Sequence, residues 1–484
     1  FQAEDGIRDC LLSRGLGDVY KRQQEALEFV GAYFNNGKFE SDLKKLVSFK
    51  TESQNPESKS ELFSYLSEAI LPRLSRLGLK CEIFSNPDPS GGPILVGERK
   101  EDNSYPTIFI YGHGDVVLGQ EEQWQEGLDP FTLKAKGEKL FGRGTADNKS
   151  QHLINIIALE AVLAIRKSLG FNVKFVMETS EEIGSPGLRE FFKDKRADLA
   201  SDVLIASDGP RLQPGVPTIF MGTRGAINFD LEVNLREGDH HSGNWGGVLK
   251  DPAIVLANAI ATIVNKRGEI QIPEWRPTNL TKELKEILNN LPLESIGDAN
   301  VDPNWGEKDL TSLERLYGWN SFSVLSLTSG NQEKAVNAIS GKAKASCQLR
   351  FVVGTKSKEI IPALRKHLDN HNFKEVKIKL YDNQLFEATR LSTKHPWVDI
   401  VSSSIVKTSN KKPHIVPNLA GSLPNDSFTD ILGLPTIWIP HSYRGCSQHA
   451  PNEHVLKSVC FDALRIMAGV YFDIGEQGKE LKRH

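Results

Sequence analysis

The chain lacks the cysteine pattern that marks disulfide-rich secreted proteins and small zinc modules. It has only five cysteines and three methionines in 484 residues, and the cysteines are Cys10, Cys81, Cys347, Cys446 and Cys460. Their spacing fits neither a zinc knuckle nor a disulfide framework. A sparse and odd set of this kind is typical of reduced thiols, so we expect a cytoplasmic protein.

Long apolar runs and an excess of one charge are also missing. No apolar stretch approaches the roughly 20 residues that a membrane span requires. The formal net charge is −3, and the basic residues are spread along the chain, so the sequence predicts neither a membrane partner nor a nucleic-acid partner. The hydrophobic content of 39% and the charged content of 25% are typical of a globular protein. A chain of this length predicts two domains rather than one.

The N-terminal segment is set apart from the rest. The chain begins with Phe1, and residues 1–23 resemble a translated sequencing-adapter segment. The alternative is a genuine polar N-terminal helix. We leave this segment out of the prediction of the fold, and we expect the native N-terminus, with any signal peptide, to be missing from the sequence.

Two stretches of the chain, residues 24–213 and 389–484, alternate short apolar strands with helical patterns. The run at 106–111 is continuously apolar, as a buried parallel strand requires. Residues 150–168 have the apolar spacing of an amphipathic helix. This alternation predicts an α/β fold with a doubly wound, mostly parallel sheet.

The pattern changes between these stretches. Residues 218–236 alternate strictly between apolar and polar side chains, which predicts one half-exposed antiparallel strand. Helical patterns at 253–264 and 357–371 flank further strand patterns. We therefore predict an inserted α+β domain over residues 214–388.

Histidines and carboxylates follow the ends of several predicted strands or apolar runs. They are His113, Asp115, Asp147, Glu181, Glu182, Asp208 and His449. Ligands of open α/β sheets bind at the carboxyl ends of the strands. Imidazole and carboxylate groups without cysteine suit a hydrolytic site in which two divalent ions share a carboxylate. The sequence therefore predicts a two-metal hydrolytic site.

Each of these residues alone also has a simpler interpretation. His113 fits a turn with Asp115 as a loop cap, Asp147 fits the N-cap of the following helix, and the Glu181-Glu182 pair fits a solvated loop. In a metal site, Asp115 would accept the second imidazole N–H of His113. One of the two glutamates would coordinate an ion and the other would transfer protons. The combination favours the metal site.

The ordered motifs resemble those of the M20 metallopeptidases. This group includes carnosinase-type dipeptidases, glutamate carboxypeptidases, and acetylornithine and succinyl-diaminopimelate deacylases. The resemblance extends over roughly residues 25–475. The motifs are His113-Gly114-Asp115, Gly142-Arg143-Gly144-Thr145-Ala146-Asp147, Glu181-Glu182, Ser207-Asp208-Gly209 and His449-Ala450-Pro451-Asn452-Glu453.

The resemblance implies a role for each of these residues. His113 and Asp208 would hold one zinc ion, and Glu182 and His449 would hold the other. Asp147 would bridge both ions and would have a cis peptide bond to the next residue. Glu181 would act as general base and acid, and Asp115 would orient His113. Mn²⁺ and Co²⁺ also suit these ligands.

The inserted domain resembles the dimerisation or lid domain of the same family. Its segment 239–247 looks like the lid motif whose histidine reaches the active site of the partner subunit. That histidine would be His241, bonding the oxyanion, although the adjacent His240 leaves the assignment open. Asn337 aligns with a residue near the oxyanion, and Arg350 and Ser422 with groups that bind a substrate carboxylate. A surface-loop histidine and an exposed strand arginine are the alternatives.

The sequence therefore predicts a homodimeric hydrolase that cleaves the amide bond of dipeptides or of C-terminal residues by metal-activated water. An N-acyl-amino-acid deacylase of the same fold is the nearest alternative, because its ligands and chemistry are the same. A catalytically inactive binding or scaffold protein is the remote alternative.

Overall fold

The computed structural model describes residues 2–292 and 301–483, and the chain divides into two compact units. The first unit comprises Phe1–Met221, Leu391–Ile415 and Ser427–His484, and the second comprises Gly222–Arg390 and Val416–Asp426. The predicted boundaries therefore need correction. Residues 214–221 belong to the first unit because the strand Thr218–Phe220 joins its sheet. Residues 416–426 belong to the second unit, where Leu419 pairs with Thr223.

An eight-stranded sheet forms the centre of the first unit. Its order is Lys80–Phe84, Ile94–Arg99, Asn172–Glu178, Thr107–His113, Val203–Ala206, Thr436–Trp438, Thr218–Phe220 and His414–Val416. Four neighbouring strands, from Asn172–Glu178 to Thr436–Trp438, are parallel. Three other pairings are antiparallel. They join Lys80–Phe84 to Ile94–Arg99, Ile94–Arg99 to Asn172–Glu178, and Thr218–Phe220 to Thr436–Trp438.

Both faces of this sheet are covered. Ile108 and Ile110 belong to a buried cluster with side chains of the helices Lys149–Arg166 and Lys457–Gln477. The alternate residues of the same strand point to the opposite face, where Tyr111 packs against the rings of Phe428 and Trp438. The predicted doubly wound α/β fold is confirmed.

Further helices complete the first unit. They are Gln2–Asn35, Lys38–Val47, Lys59–Ser64, Leu71–Arg76, Leu188–Asp194 and Pro396–Ser409, with π-helical turns at Tyr65–Ile70 and Ser427–Leu432. Residues 2–23 form the first part of the helix Gln2–Asn35. Over the described ranges, no helix combines the length and apolar character needed to cross a bilayer.

The second unit contains a four-stranded antiparallel sheet. Its order is Ser321–Ser329, Lys342–Phe351, Gly225–Asn234 and Val376–Phe386. Alternate residues of Lys342–Phe351 are buried beneath the helices Pro252–Ile263 and Ser357–Asn370. The prediction of one strand over 218–236 is wrong. The chain forms two strands there, because its first part pairs in the sheet of the first unit and its second part pairs in this one.

Candidate active site

The first group of predicted ligands lies at the carboxyl edge of the parallel sheet. His113 is the last residue of its strand, and Asp208 closely follows the neighbouring strand Val203–Ala206. His113 Nε2 lies 3.0 Å from Asp147 Oδ1 and 3.6 Å from Asp208 Oδ2. All three side chains are buried. These distances allow the three donor atoms to surround one ion.

A second group forms on the other oxygen of Asp147. His449 Nε2 lies 3.0 Å from Asp147 Oδ2 and 3.0 Å from Glu182 Oε2. Gln448 also donates a hydrogen bond to Asp147 Oδ2. The fold therefore brings all five predicted ligands together, and Asp147 contributes one oxygen to each group.

The chemistry of the donors fits divalent cations. Burial raises the pKa of Glu182 to about 7, and the charge of Asp147 adds to this effect. Burial also raises the pKa of Glu181 and of Asp208, and Asp208 Oδ2 is buried without a hydrogen-bond partner among the described residues. Carboxylates crowded in a buried site repel one another, so a bound cation would stabilise them. Nitrogen and oxygen donors without sulfur suit zinc, manganese or cobalt.

Asp115 has a wider set of contacts than its predicted one. His113 Nδ1 lies 3.1 Å from the backbone oxygen of Asp115 and 3.4 Å from its carboxylate. The two carboxylate oxygens accept the backbone N–H groups of Glu181 and Glu182, at 3.2 and 3.1 Å. Asp115 therefore connects His113 with the pair of glutamates.

The motifs in the sequence contain Arg143 and Glu453, but no contact was predicted for either residue. Glu453 Oε1 accepts the N–H groups of Ala146 and Asp147, and Arg143 Nη1 donates to Glu453 Oε2 at 2.8 Å. Both side chains are buried, so this ion pair fixes the backbone at Asp147. The peptide bond from Asp147 to Asn148 is cis, as the resemblance implied.

Two of the residues predicted in the second unit lie side by side. His241 pairs with Ala338 in a two-stranded sheet, and the backbone oxygen of Asn337 accepts the N–H of Ser242 at 2.9 Å. His241 and Asn337 are both exposed. The adjacent His240 packs edge-on against the ring of Trp245.

The other two predicted residues of this unit form a polar pair. Arg350 Nη1 donates to Ser422 Oγ at 2.9 Å. The sequence missed Arg224, which donates from Nε to the backbone oxygen of Ala420 at 2.7 Å. Burial lowers the pKa of Arg224 to about 9, and the charge of Arg350 contributes to this shift. The available signal in the sequence was a charged residue directly before the strand Gly225–Asn234.

Known proteins share the sequence pattern of this chain. Residues 109–473, more than half of the chain, match Peptidase family M20/M25/M40. The Beta-Ala-His dipeptidase of Rattus norvegicus is 33% identical over 273 residues, which are 53% of this chain and 54% of the rat protein. That match spans about half the length of the rat relative. The Beta-Ala-His dipeptidase of Mus musculus is 26% identical over 470 residues, covering 91% of this chain and 93% of the mouse protein.

The fold also matches solved structures. The di-peptidase Dug1p from Saccharomyces cerevisiae superposes with a TM-score of 0.79 at 21% sequence identity, covering 94% of this chain and 98% of that chain. A likeness at this level of identity shows a shared fold.

Proposed function

Because the chain belongs to Peptidase family M20/M25/M40 and is thus a metal-dependent peptide hydrolase, we propose that it uses two divalent ions to cleave dipeptides or C-terminal residues. The family inferred from the motifs is confirmed. The observation that carries the two-ion proposal is the position of Asp147, which offers one carboxylate oxygen to each of two ligand groups. A shared carboxylate holds two ions at the short separation that this chemistry needs.

The ions are assigned to the ligands in the following way. His113 and Asp208 would hold one, Glu182 and His449 would hold the other, and both ions would share Asp147. Zinc is the proposed metal, with manganese and cobalt as alternatives. When bound, the ions would polarise the scissile carbonyl and increase the acidity of a water molecule.

Glu181 is the proposed proton carrier. It adjoins the ligand Glu182 in sequence, and Asp115 holds the backbone N–H of both residues. Glu181 belongs to neither of the ligand groups found among the described residues, so its carboxylate stays available. It accepts a proton from the attacking water and then donates it to the leaving nitrogen.

His241, from the partner subunit, hydrogen-bonds the oxyanion. Asn337 lies beside His241.

A carboxylate on the substrate is the proposed recognition feature. Arg350 and Ser422 are already paired, and the buried Arg224 adds a second positive charge to this cluster. A guanidinium binds a carboxylate through two parallel hydrogen bonds. This cluster favours substrates with a free C-terminal carboxylate, and the Beta-Ala-His dipeptidases among the relatives support dipeptides.

A homodimer through the second unit is also proposed. The strand Ser321–Ser329 lies at the edge of its sheet and exposes the apolar side chains of Val324, Leu325 and Leu327. An exposed apolar edge strand is normally covered by a partner. The first unit is then the metal-binding catalytic domain, and the second is the dimerisation and lid domain.

The cysteines support a reducing compartment, and we propose the cytoplasm. Cys81, Cys347, Cys446 and Cys460 are free thiols. Burial raises the pKa of Cys446 and of Cys460 to about 12, so these thiols stay protonated and unreactive.

A substrate panel tests the proposed function. Metal-depleted protein is assayed with and without Zn²⁺, Mn²⁺ or Co²⁺ on β-Ala-His, on α-dipeptides, on their C-terminal amides and on N-acetyl and N-succinyl amino acids. We expect metal-dependent cleavage of dipeptides and weak cleavage of the amides. Faster cleavage of the N-acyl amino acids would indicate the deacylase. Two bound ions without cleavage of any substrate would indicate the inactive protein.

A further inference from the structure

The helix Lys149–Arg166 begins two residues after Asp147 and buries several polar side chains. Three of them, which are fully buried, are Gln151, His152 and Asn155. Buried polar side chains require hydrogen-bond partners. One partner of each lies next to a predicted metal ligand in the chain, at Ala146, Asn148 and Ser207.

His152 is connected to the residue that follows Asp147. Its Nδ1 lies 3.1 Å from Asn148 Oδ1, and its Nε2 lies 2.7 Å from the hydroxyl of Tyr65. Asn148 Nδ2 donates to the backbone oxygen of Ser207 at 2.8 Å. Because the amide nitrogen of Asn148 is used there, its oxygen accepts from His152 Nδ1, and His152 Nε2 accepts from Tyr65. Each hydrogen bond from Tyr65 through His152 and Asn148 to Ser207 therefore has a defined donor.

Asn155 reaches the residue that precedes Asp208. Its Nδ2 donates to Ser207 Oγ at 2.8 Å, and its Oδ1 accepts from the hydroxyl of Tyr471 at 2.7 Å. His441 Nε2 lies 2.9 Å from the same Ser207 Oγ. Ser207 is therefore held through its backbone oxygen and through its hydroxyl.

Gln151 and Gly112 complete the connections. Gln151 Nε2 donates to the backbone oxygen of Ala146 at 2.8 Å, and its Oε1 accepts the backbone N–H of His441 at 2.8 Å. A Cβ on Gly112 would lie 2.7 Å from the Cβ of His152, so the strand that ends at His113 packs tightly against the same helix. The network thus meets the residues next to His113, on both sides of Asp147 and before Asp208.

We propose that this buried network, made of Tyr65, Asn148, Gln151, His152, Asn155, Ser207, His441 and Tyr471, fixes Asp147 relative to Asp208. It thereby sets the affinity for the ion held by His113, Asp147 and Asp208. The inference rests on the proposed two-ion function. Glu182 is held through Asp115, outside the network, so the other ion depends on the network less. The members of the network are positioning residues that act through the ligands.

A matched pair of variants at His441 tests the proposal. His441→Leu removes the bond to Ser207 Oγ, whereas His441→Gln is of similar size and keeps a hydrogen-bonding group. Metal-depleted proteins are titrated with Zn²⁺ against a chromophoric chelator. We expect His441→Leu to bind one of the two ions about 10- to 100-fold more weakly, as is typical when a group that supports a ligand is lost. We expect His441→Gln to bind both ions as the parent does.

A pair of serine variants separates positioning from stability. Ser207→Ala removes a hydroxyl of the network, and Ser404→Ala removes another buried hydroxyl, which donates to Asp473 Oδ2 at 2.6 Å. Urea unfolding of the metal-free proteins gives the stability of each. We expect both variants to lose stability and only Ser207→Ala to lose affinity for one ion. Because Ser207→Ala is the smaller change, it decides the question if His441→Leu does not fold.

The results also distinguish this inference from the proposed function. A parent protein that binds two ions, with a Ser207→Ala variant that binds both with unchanged affinity, would overturn the positioning role alone. Equal losses of affinity in Ser207→Ala and Ser404→Ala would overturn it as well. A parent protein that binds fewer than two ions would contradict the two-ion function itself.

Discussion

In the first unit, the predicted ligands of two ions converge at the end of a parallel sheet, and one buried and one partly buried contact hold Asp147 there. Glu453 accepts its N–H, and Gln448 donates to its carboxylate. In the second unit, His241 and Asn337 are exposed. They lie at the two-stranded sheet in which His241 pairs with Ala338. Among the described residues, the side chain of His241 accepts only a local bond, from the N–H of Gly243 at 3.1 Å.

This difference indicates that the two units have different roles. Metal ligands need a fixed geometry, which buried partners from the same chain provide. An exposed histidine on an edge has room to contact a molecule outside its own unit. We therefore expect substitutions in the first unit to affect metal binding or proton transfer, and substitutions in the second to affect the oxyanion, the substrate or the stability of that unit.

The largest effect is expected for Glu181→Gln. The amide cannot accept a proton from water, so kcat should fall by up to about 10⁴-fold. Metal content should stay at the parent level, because Glu181 is not among the proposed ligands. Steady-state kinetics and elemental analysis measure the two quantities, and Glu190→Gln, an exposed glutamate of the same unit, is the control. Unchanged kcat in Glu181→Gln would exclude its role as the base.

A smaller loss is expected for His241→Ala in the second unit. Loss of one hydrogen bond to the oxyanion should lower kcat by about 10²- to 10³-fold with little change in KM. His240→Ala is the matched control and should keep most of the activity. Mixing His241→Ala with Glu181→Gln subunits should restore part of the activity if the histidine serves the partner. A larger loss in His240→Ala would move the assignment by one residue.

A change in substrate binding is expected for Arg350→Lys. Lysine cannot form two parallel bonds to a carboxylate, so KM for dipeptides should rise about 10-fold, which corresponds to about 1.4 kcal/mol. The parent enzyme should show a similar rise with C-terminal amides. The variant should discriminate less between acid and amide. Equal discrimination in both proteins would place the carboxylate site elsewhere.

The smallest effect concerns the stability of the second unit. Asp230 pairs with Lys344 at 2.6 Å and accepts a hydrogen bond from Ser346 at 2.8 Å. Burial acts to raise the pKa of Asp230, but these partners and Tyr381 outweigh it and lower that pKa below its usual value. A lowered carboxyl pKa stabilises the folded state above about pH 4, and this contribution is lost as the pH falls through the folded pKa.

Asp230→Asn should therefore lose about 1 kcal/mol at pH 7, and the difference from the parent should shrink towards pH 3. Urea unfolding over this pH range measures the effect, with Glu232→Gln on the same strand as the control. A difference that is constant with pH would exclude the ionised carboxylate as its source.

The parts of the fold that follow local patterns could be predicted from the sequence. The apolar run before His113 indicated a buried parallel strand, and the ends of parallel strands meet at one edge of a sheet. That geometry brings Asp208 close to His113 without knowledge of any contact. The motifs of a known family supplied the remaining ligands, which no local pattern distinguishes from loop residues.

Other features depend on contacts between distant parts of the chain. The alternation of apolar and polar side chains through residues 218–236 continues across the boundary of the two units. Apolar periodicity does not show with which sheet a strand pairs, so the sequence predicted one strand there. The bonds of His152 and His441 also gave no signal, since a histidine among apolar residues looks the same with or without a partner. Arg143 and Glu453 were visible in the motifs, but their pairing follows from the packing of two loops.

The position of bound metal relative to Asp147 tests the central claim most directly. Crystals grown with Zn²⁺ and measured at the zinc absorption edge should show two anomalous peaks about 3.5–4 Å apart, one on each side of the Asp147 carboxylate. A single peak, or two peaks of which one lies away from Asp147, would contradict the shared-carboxylate site.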